Sequence, residues 1–359
     1  MTEVFRNKRV FLTGHTGFKG TWLTMLLNKM GAEVMGYALE PNTSPSMYNV
    51  VNATGYCQSV IGELRNRELL EKTMAEFGPD FIFHLAAQPI VRTSYNIPVE
   101  TFEVNTLGTV NVLEAMRKME KQCVAVMITT DKVYRNNESG QAYTEEDPLG
   151  GYDPYSASKA AAEIVIDSYR NSFFNPNDYE RHGKSVASVR AGNVIGGGDW
   201  AADRLVPDIA RALSVGKPIE IRNPKAVRPW QHVLEPLMGY ITLAAMMYQH
   251  TTSFNEGFNF GPNPADVVTV GDMAQMGVDI WGEGTLEFPK QINQPHEANL
   301  LSLDITKAER LLGWKPMMNA RKALDITLRW YKAYYAGEDM RQMTEKQIDD
   351  YLKQCEENK

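Results

Sequence analysis

A short apolar run that ends in a glycine string decides the fold class of this chain before any other feature. Arg9–Thr13 has the composition of a buried strand, and residues 13–20 then read Thr-Gly-His-Thr-Gly-Phe-Lys-Gly. From residue 18 to residue 30 apolar side chains recur at helical spacing, and Gly31 follows as a C-cap. Glycines at this spacing let backbone N–H groups approach a pyrophosphate at a helix N-terminus. The pattern therefore predicts a strand–turn–helix unit that binds a dinucleotide.

The rest of the first half repeats this alternation of strand and helix. Strand-like runs occupy residues 33–39, 57–61, 81–86, 124–129 and 185–190, and helical patterns occupy residues 68–77, 99–119 and 154–172. The strands are almost continuously apolar, which is typical of a parallel sheet covered by helices on both faces. We therefore predict an α/β protein with a doubly wound, Rossmann-type sheet and a ligand site at the carboxyl ends of its strands.

After about residue 192 the rhythm changes, and turns rich in glycine and proline separate shorter elements. We predict a smaller, discontinuous substrate-binding domain formed by residues 193–225 and 263–315. Residues 1–192 and 226–262 would form the dinucleotide-binding domain, because residues 227–260 contain one helical and one strand-like stretch. Residues 316–359 are expected to add C-terminal helices.

Composition excludes several classes of protein. The chain has 37 basic and 44 acidic residues, and this net charge of −7 does not favour binding to nucleic acid. Its longest strongly apolar stretch, residues 237–248, is shorter than the roughly 20 residues of a membrane span. Three scattered cysteines suit reduced thiols, and no cluster of side chains has the spacing of metal ligands. We therefore expect a soluble, cytoplasmic protein without a metal and without a membrane or nucleic-acid partner.

The most informative polar residues follow the predicted fifth strand. Tyr155 and Lys159 are four residues apart and share one face of a predicted helix. A lysine cation one turn away stabilises a phenolate and lowers the pKa of a tyrosine, which is otherwise about 10. Thr130 ends the strand, and Asp131 and Lys132 come directly after it, where parallel sheets place their clefts. We expect these five residues to be catalytic.

These motifs, with the segments at residues 84–88, 105–109, 190–193 and 228–232, resemble the nucleotide-sugar 4,6-dehydratases of the extended short-chain dehydrogenase/reductase family. The resemblance covers nearly the whole chain and implies dehydration of a nucleotide sugar, with NAD taking a hydride and returning it. It assigns Tyr155 as the base for the sugar 4-hydroxyl and Asp131 as the acid for the 6-hydroxyl. Lys132 stands where the dTDP-glucose members have glutamate. By position it is the base that removes H5, and alternatively it stabilises the enolate.

The resemblance also implies a substrate and an assembly. Lys132, together with the glycine string, is similar to the branch of the family that acts on CDP-glucose, so CDP-glucose is the expected substrate. The expected product is CDP-4-keto-6-deoxy-D-glucose, a precursor of deoxy-sugars. The helices predicted at residues 99–119 and 154–172 commonly form a four-helix interface in this family, which implies a homodimer or homotetramer. Nothing in the residues themselves selects cytosine as the base.

The cofactor site implied by the resemblance has one departure from the family pattern. Ala38 occupies the usual place of the acidic ribose ligand, and Glu40 is the nearest substitute, so NAD affinity should be reduced. No arginine lies within residues 37–42 to receive a 2′-phosphate, so NADP is not favoured either. Glu63 would accept a hydrogen bond from the adenine amino group. The residues expected at the cofactor are Gly14, Gly17, Phe18, Gly20, Glu63, Leu64, Ala86, Asn105, Tyr155 and Lys159.

The expected substrate contacts fall largely in a locally basic stretch. Residues 190–228 contain seven basic and four acidic side chains in an otherwise acidic protein, and arginine binds phosphate in a bidentate manner. His84 follows an apolar strand and is either a site residue or a core histidine. The residues expected at the nucleotide sugar are Gln88, Asn193, Arg204, Arg228 and His296.

Three other functions fit parts of the sequence. A nucleotide-sugar 4-epimerase on the same scaffold would use Tyr155 and NAD, but it has no use for the acid–base pair of Asp131 and Lys132. A regulatory protein that only senses the cofactor could lose the Tyr155/Lys159 pair, which this chain retains. A reductase that turns over NADPH would need an arginine for the 2′-phosphate.

Overall fold

The computed structural model describes residues 2–137, 140–266, 268–289 and 301–357. Eleven strands lie within these residues, and several are only two residues long. In chain order they are β1 (Arg9–Thr13), β2 (Glu33–Ala38), β3 (Gln58–Ile61), β4 (Phe81–His84), β5 (Cys123–Ile128), β6 (Lys184–Ala191), β7 (Val194–Ile195), β8 (Ile219–Glu220), β9 (Gln231–His232), β10 (Gly257–Phe260) and β11 (Leu286–Glu287).

Fourteen α-helices within the described residues connect and cover these strands. They are α1 (Phe18–Lys29), α2 (Met47–Val50), α3 (Arg67–Phe77), α4 (Val91–Asn96), α5 (Pro98–Phe102), α6 (Gly108–Lys118), α7 (Pro154–Ser172), α8 (Tyr179–His182), α9 (Leu205–Ser214), α10 (Leu234–Gln249), α11 (Val270–Trp281), α12 (Thr306–Leu312), α13 (Ala320–Tyr335) and α14 (Met340–Glu357).

Seven strands form one sheet in the order β10-β6-β5-β4-β1-β2-β3, and every pair in it is parallel. The order starts at β1 in the middle and moves outward in both directions, which is the doubly wound arrangement. This confirms the predicted fold class. The carboxyl ends of β1, β4, β5 and β6 therefore meet at one edge, where a ligand cleft forms.

The central strands β1, β4 and β5 are mostly apolar because each one contributes side chains to two cores. In β5, Val124 and Val126 pack into a core shared with α1 and α10, whereas Ala125 and Met127 pack into a second core shared with α3 and α6. Side chains alternate between the two faces of a strand, so both faces of the sheet are covered by helices. This double burial fixes the register of the sheet, and with it the positions of the polar residues at the strand ends.

A second group of elements lies at the carboxyl ends of the strands of the main sheet. Helices α9, α11 and α13 pack against one another, and the short strands β8 and β11 pair beside them. Between these elements in the chain, α10 packs on β5 and β6, and β10 joins the main sheet next to β6. The chain thus leaves the main sheet after β6 and later returns to it.

The long helix predicted at residues 99–119 differs from the structure in one respect. Residues Glu103–Leu107 form a π-helical turn between α5 and α6. The wider turn brings Asn105 inward, where its amide donates to the Gln88 carbonyl and to Ser158 Oγ. Such turns are favoured where a side chain must be turned out of the regular helical register.

Neither a membrane span nor a metal centre occurs within the described residues. None of the helices combines the length and the apolar composition needed to cross a lipid bilayer. In that same part of the chain, no group of three or more His, Cys, Asp or Glu side chains is arranged to hold a metal ion.

Candidate active site

The glycine turn lies between β1 and α1, and close backbone packing explains its glycines. Gly14 has a φ of +80°, and a Cβ there would lie 2.8 Å from the Ala86 nitrogen. A Cβ on Gly20 would lie 2.0 Å from the Gly14 carbonyl oxygen. Gly17 is the N-cap of α1 and provides no side-chain hydrogen bond, so the first N–H groups of the helix are available to an anion. The turn therefore fits a dinucleotide pyrophosphate.

His84 is a core histidine that connects the end of β1, just before the glycine turn, to α6. Its Nδ1 lies 2.8 Å from Thr13 Oγ1 and its Nε2 lies 3.1 Å from Thr109 Oγ1. The residue is 2% exposed, and burial lowers the pKa of its imidazole to about 3. Of the two alternatives left open by the sequence, the structure selects the core role.

The adenosine end of the cleft has few fixed polar groups. Ala38 is buried and ends β2, while the next side chain, Leu39, is 60% exposed. Glu63 forms an ion pair with Arg65, which also contacts Glu103 at 2.8 Å. Ala38, Glu40, Glu63 and Leu64 line the cavity. Because Arg65 binds one oxygen of the Glu63 carboxylate, an adenine amino group would have to share this carboxylate with Arg65.

Tyr155, Lys159 and Thr130 meet at the carboxyl edge next to β5. Burial raises the pKa of Tyr155 to about 12, while a hydrogen bond with Thr130 and the charge of Arg204 act in the opposite direction. Burial lowers the pKa of Lys159 to about 8, and its ammonium donates to the Ile128 carbonyl at 3.2 Å. The lowering of the tyrosine pKa that the four-residue spacing predicts is therefore not the net effect here, because burial outweighs it.

Asp131 and Lys132 form a contact pair just beyond Thr130. Thr130 Oγ1 and Lys132 Nζ donate to Asp131 Oδ1 at 3.0 and 3.1 Å. The other carboxylate oxygen, Asp131 Oδ2, is buried and has no hydrogen-bond partner among the described residues. A Cβ on Gly192 would lie only 3.2 Å from this oxygen, so a side chain there would crowd it. Lys132 is more open, with 28% of its side chain exposed, and it lines the cavity.

A buried ionic network supports this arrangement from behind. Glu163, one turn after Lys159, pairs with Arg190 of β6 at 3.0 Å, and both side chains are almost fully buried. Thr129 and Ser188 donate to the same carboxylate, and Arg190 also donates to Tyr134 Oη at 2.7 Å. Burial opposes ionisation of Glu163, but Arg190 and these hydrogen bonds lower its pKa overall. The network ties α7 to β5 and β6.

The locally basic stretch is largely neutralised in the folded protein. Among the described residues, at least four of its seven cations form ion pairs: Arg190 with Glu163, Arg204 with Asp199, Arg211 with Asp208, and Arg222 with Asp203. Asn193, Arg204 and Arg228, which are predicted to contact the substrate, line the cavity. Arg228 Nη1 donates to the Val227 carbonyl at 3.0 Å. His296 lies outside the described residues.

Two of the predicted ligand contacts are used inside the protein instead. Asn105 Oδ1 accepts from the Gln88 backbone N–H at 2.8 Å, and Gln88 Nε2 donates to Thr101 Oγ1 at 3.0 Å. Neither side chain lines the cavity. The structure therefore gives both residues a supporting position beneath the cleft, between the loop after β4 and the π-helical turn.

Apart from Asp131, which is fully buried and does not line it, the remaining predicted residues within the described part of the chain share one cavity of about 1130 Å³ with several that the sequence analysis did not single out. Lys19, in the glycine turn itself, points to Tyr240 of α10, with 3.2 Å between Nζ and Oη. Arg92 of α4 approaches Asp203 at 3.6 Å across the cleft. A lysine inside a glycine turn is visible in the sequence, but its partner lies 221 residues away. The predicted residues that line the cavity are Gly14, Gly17, Phe18, Gly20, Glu63, Leu64, Ala86, Thr130, Lys132, Tyr155, Lys159, Asn193, Arg204 and Arg228.

Comparison with solved structures places this fold among enzymes of nucleotide sugars. A UDP-glucose 4-epimerase from Thermus thermophilus, solved with NAD, is 25% identical and matches with a TM-score of 0.77 over 90% of this chain and 99% of its own. A dTDP-glucose 4,6-dehydratase from Streptomyces venezuelae is 24% identical, with a TM-score of 0.76 over 92% and 98%.

Comparison of sequences gives a nearer relative. A CDP-glucose 4,6-dehydratase of Salmonella typhimurium is 49% identical over 348 residues, which cover 97% of each chain. A CDP-paratose 2-epimerase of Salmonella typhi is 25% identical over 90% of this chain and 98% of its own. The sequence model described as GDP-mannose 4,6 dehydratase matches residues 11–327. On these matches, the chain belongs to the GDP-mannose 4,6-dehydratase family of extended short-chain dehydrogenases/reductases.

Proposed function

We propose that this protein catalyses the NAD-dependent 4,6-dehydration of CDP-D-glucose to CDP-4-keto-6-deoxy-D-glucose. The relative with 49% identity carries the name of this activity, and the two chains align over 97% of their lengths. The Thermus thermophilus neighbour was solved with NAD, and the glycine turn of this chain fits a dinucleotide. The reaction makes this protein a hydro-lyase, and its product is a precursor of deoxy-sugars such as those of lipopolysaccharide O-antigens.

The observation that carries the proposal is the Asp131–Lys132 pair. A 4-epimerase needs a base for one hydroxyl and a hydride carrier, but a dehydratase also needs an acid and a base to expel water. Asp131 has a buried oxygen without a partner among the described residues, next to the Tyr155–Thr130 cluster. A buried acceptor that lacks a partner costs free energy unless a ligand supplies one. The sugar 6-hydroxyl is such a partner.

The first step uses the residues around Tyr155. The phenolate takes the proton of the 4-hydroxyl, and Thr130 hydrogen-bonds to the tyrosine. NAD, when bound, supplies the acceptor for the C4 hydride and later its donor for C6. Because burial raises the pKa of Tyr155 to about 12, the phenolate needs nearby cations, and Arg204 acts in that direction. Lys159 is held close to the end of β5 by the Ile128 carbonyl.

The elimination step uses the contact pair. Lys132 takes the proton from C5, the C6–O bond breaks, and the hydroxyl leaves as water with the proton of Asp131. This requires a neutral lysine beside a protonated carboxyl. The 3.1 Å contact between Nζ and Oδ1 places the acid and the base side by side. The assignment of these two roles is part of the proposal.

The test is a comparison of four glucose nucleotides, with CDP, dTDP, UDP or GDP as the carrier and NAD⁺ added. We expect loss of one water from the CDP sugar and much slower turnover of the others. An epimerase would give a product of unchanged mass, and a protein that only senses the cofactor would give no product. Either result would contradict the proposal, and equal rates with all four carriers would contradict the choice of CDP.

We further propose a homo-oligomer located in the cytoplasm. α5, the π-helical turn and α7 carry three exposed apolar side chains. These are Val99 at 71%, Leu107 at 55% and Ile164 at 61%. Exposed apolar side chains that cluster on neighbouring helices are typical of an interface.

We also propose that the chain is divided into two domains. In this division, residues 193–225 and 263–315 form the domain that binds the nucleotide sugar.

A further inference from the structure

Asp131 is a buried carboxyl that has to gain and lose a proton in every cycle of the proposed reaction. It is fully buried and does not line the cavity. Among the described residues, its side chain accepts hydrogen bonds from Thr130 Oγ1 at 3.0 Å and from Lys132 Nζ at 3.1 Å. Because bulk water does not reach this carboxyl, its proton must arrive through a hydrogen-bonded neighbour.

Thr130 connects this carboxyl to Tyr155. A hydroxyl group has one proton to donate and two lone pairs that accept. The Thr130 hydroxyl donates to Asp131, one lone pair accepts from the Lys132 backbone N–H at 3.4 Å, and a hydrogen bond also joins it to Tyr155. Since the only proton of this hydroxyl is directed to Asp131, the phenol is the donor to Thr130. The three side chains belong to residues that are at most 8% exposed, so the chain of hydrogen bonds is shielded from solvent.

The two steps of the proposed reaction have opposite requirements for a proton. Oxidation at C4 releases the proton of the 4-hydroxyl at Tyr155, and elimination consumes a proton at the 6-hydroxyl, next to Asp131. The overall reaction neither takes up nor releases a proton. If the two sites were not connected, Tyr155 would end each cycle with one proton too many and Asp131 with one too few.

We propose that Thr130 relays a proton from Tyr155 to Asp131 during oxidation of C4, so that the first step prepares the acid for the second. The phenolic proton passes to Thr130 Oγ1 while the proton of Thr130 passes to Asp131 Oδ1. The phenolate takes the 4-hydroxyl proton as the C4–H bond breaks and its electron pair moves with the hydrogen to the bound cofactor. A ketone, a neutral tyrosine and a protonated Asp131 result. This inference rests on the proposed dehydration.

The elimination returns Asp131 to its starting state. The C6–O bond breaks with its electron pair on oxygen, this oxygen takes the Asp131 proton, and water leaves. A half-turn of the carboxyl about its Cβ–Cγ bond exchanges its two oxygens. The proton gained beside Thr130 is then given up at the position of Oδ2, which has no partner among the described residues. The relay also explains how Tyr155 acts as a base although burial raises its pKa to about 12, because the phenolate exists only while the proton moves.

The test measures the oxidation step alone. CDP-6-deoxy-D-glucose lacks the leaving hydroxyl, so elimination cannot follow, and the absorbance of the reduced cofactor gives the rate in a stopped-flow experiment. In Asp131→Asn no carboxylate receives the proton, so this rate should fall by about a hundredfold or more at neutral pH. A purely electrostatic role predicts the opposite sign, because the charge of Asp131 raises the pKa of Tyr155 and its removal would favour the phenolate.

Three further variants complete the experiment. Thr130→Val removes the hydroxyl and should slow the oxidation as much as Asp131→Asn does, whereas Thr130→Ser keeps the relay and should stay within about tenfold of the wild type. Asp153→Asn is the matched control. The charge of Asp153 also raises the pKa of Tyr155, but its carboxylate accepts hydrogen bonds from Ser156, so this variant should not slow the oxidation.

The dependence on pH separates a relay from a change in position. As the pH rises, the phenolate forms without the relay, so Asp131→Asn and Thr130→Val should recover by about tenfold per pH unit below the pKa of Tyr155. A loss of rate that is the same at every pH, or an unchanged or faster oxidation in Asp131→Asn, would overturn the proposal. Slow oxidation in Thr130→Val alone would mean that Thr130 acts on the substrate and not on Asp131, which would also overturn it.

A separate measurement distinguishes failure of the relay from failure of the proposed function. Loss of water from CDP-glucose is measured with the wild type, and its absence would contradict both proposals. Dehydration by the wild type together with unimpaired oxidation in Asp131→Asn would contradict the relay alone. If the wild type dehydrates CDP-glucose but does not oxidise the 6-deoxy sugar, the same substitutions are compared with CDP-glucose in a Lys132→Ala background, where the reaction should stop after the first step.

Discussion

The two ends of the cleft are built differently. At the catalytic end, the Glu163–Arg190 pair is buried, with 3% and 7% of the side chains exposed, and it ties α7, which carries Tyr155 and Lys159, to β6. At the adenosine end, Glu63 and Arg65 pair with 33% and 39% exposed, and Ala38 offers no charge. One end is therefore preorganised by the protein, and the other end is adjustable and close to solvent.

This difference indicates where the protein places its binding energy. A catalytic end must hold reacting groups within a fraction of an ångström, which requires fixed partners behind them. An end that only binds adenosine tolerates movement, and weak binding there allows the cofactor to exchange. Changes at the catalytic end should therefore affect turnover and stability strongly, whereas changes at the adenosine end should affect only affinity for the cofactor.

The largest effect is expected for Tyr155→Phe. Without the phenol oxygen no base can take the 4-hydroxyl proton, so turnover should fall by about a thousandfold or more while CDP-glucose still binds. Turnover numbers and substrate affinity by calorimetry measure the two quantities. Tyr152→Phe is the control, because Tyr152 lines the same cavity with 78% of its surface exposed. More than a few per cent of residual activity in Tyr155→Phe would show that Tyr155 is not the base.

Lys132→Ala should block the elimination while sparing the first oxidation. Tyr155 is untouched, so reduced cofactor should accumulate in a single turnover, and overall turnover should fall by about a hundredfold or more. Exchange of H5 with solvent deuterium, followed by mass spectrometry, reports on the base directly. If exchange persists at a reduced rate, Lys132 stabilises the enolate instead. If neither accumulation nor exchange changes, Lys132 has no part in the step and Asp131 must be reconsidered for both roles.

Glu163→Gln tests whether the catalytic end is rigid because of its buried pair. Removing one partner leaves Arg190 buried without a counter-charge, so the free energy of unfolding should fall by about 3–5 kcal/mol. Urea denaturation at neutral pH measures the change. Asp325→Asn, which breaks a pair with the exposed Arg329, should leave stability nearly unchanged.

The same variant has a predictable dependence on pH. Because the folded protein lowers the pKa of Glu163 below its ordinary value of 4.5, the wild type gains stability from this group above that pH. The gain is lost as the pH falls below 4.5 and through the lowered pKa of the folded state. The difference between wild type and Glu163→Gln should therefore shrink in acid, and a difference that grows there would contradict the assignment.

The sequence predicts the features of the cleft that depend on neighbouring residues. Residues close together in the sequence determine the glycine turn, the Tyr155/Lys159 spacing and the bounds of α7. The parallel sheet follows from apolar strands that alternate with helices. The ion pairs of the basic stretch could not be predicted in this way, because a count of charges does not show which ones meet. Arg190 finds Glu163 27 residues away. The π-helical turn likewise depends on Ser158, which no local pattern connects to Asn105.

Arg228→Ala should weaken binding of the nucleotide sugar more than it slows the reaction. A charge-assisted contact with a phosphate contributes about 2 kcal/mol, so KM should rise by about thirtyfold with kcat nearly unchanged. Steady-state kinetics with CDP-glucose separate the two constants. Lys225→Ala removes an exposed cation three residues away and serves as the control. A fall in kcat at constant KM would mean that Arg228 does not bind the ground-state phosphate.

The smallest effect is expected at the adenosine end, from Ala38→Asp. Ala38 ends β2 and lines the cavity, so an aspartate there can accept hydrogen bonds from the ribose hydroxyls. A charge-assisted bond of this kind should tighten NAD⁺ binding by about tenfold, with kcat unchanged once the cofactor is saturating. Calorimetry with NAD⁺ measures the gain, and Leu39→Asp, one residue further and 60% exposed, should produce little. If Leu39→Asp tightens binding instead, the ribose faces the next position along the chain. If Ala38→Asp also changes kcat at saturation, the two ends of the cleft are coupled, and the contrast between a fixed catalytic end and an adjustable adenosine end does not hold.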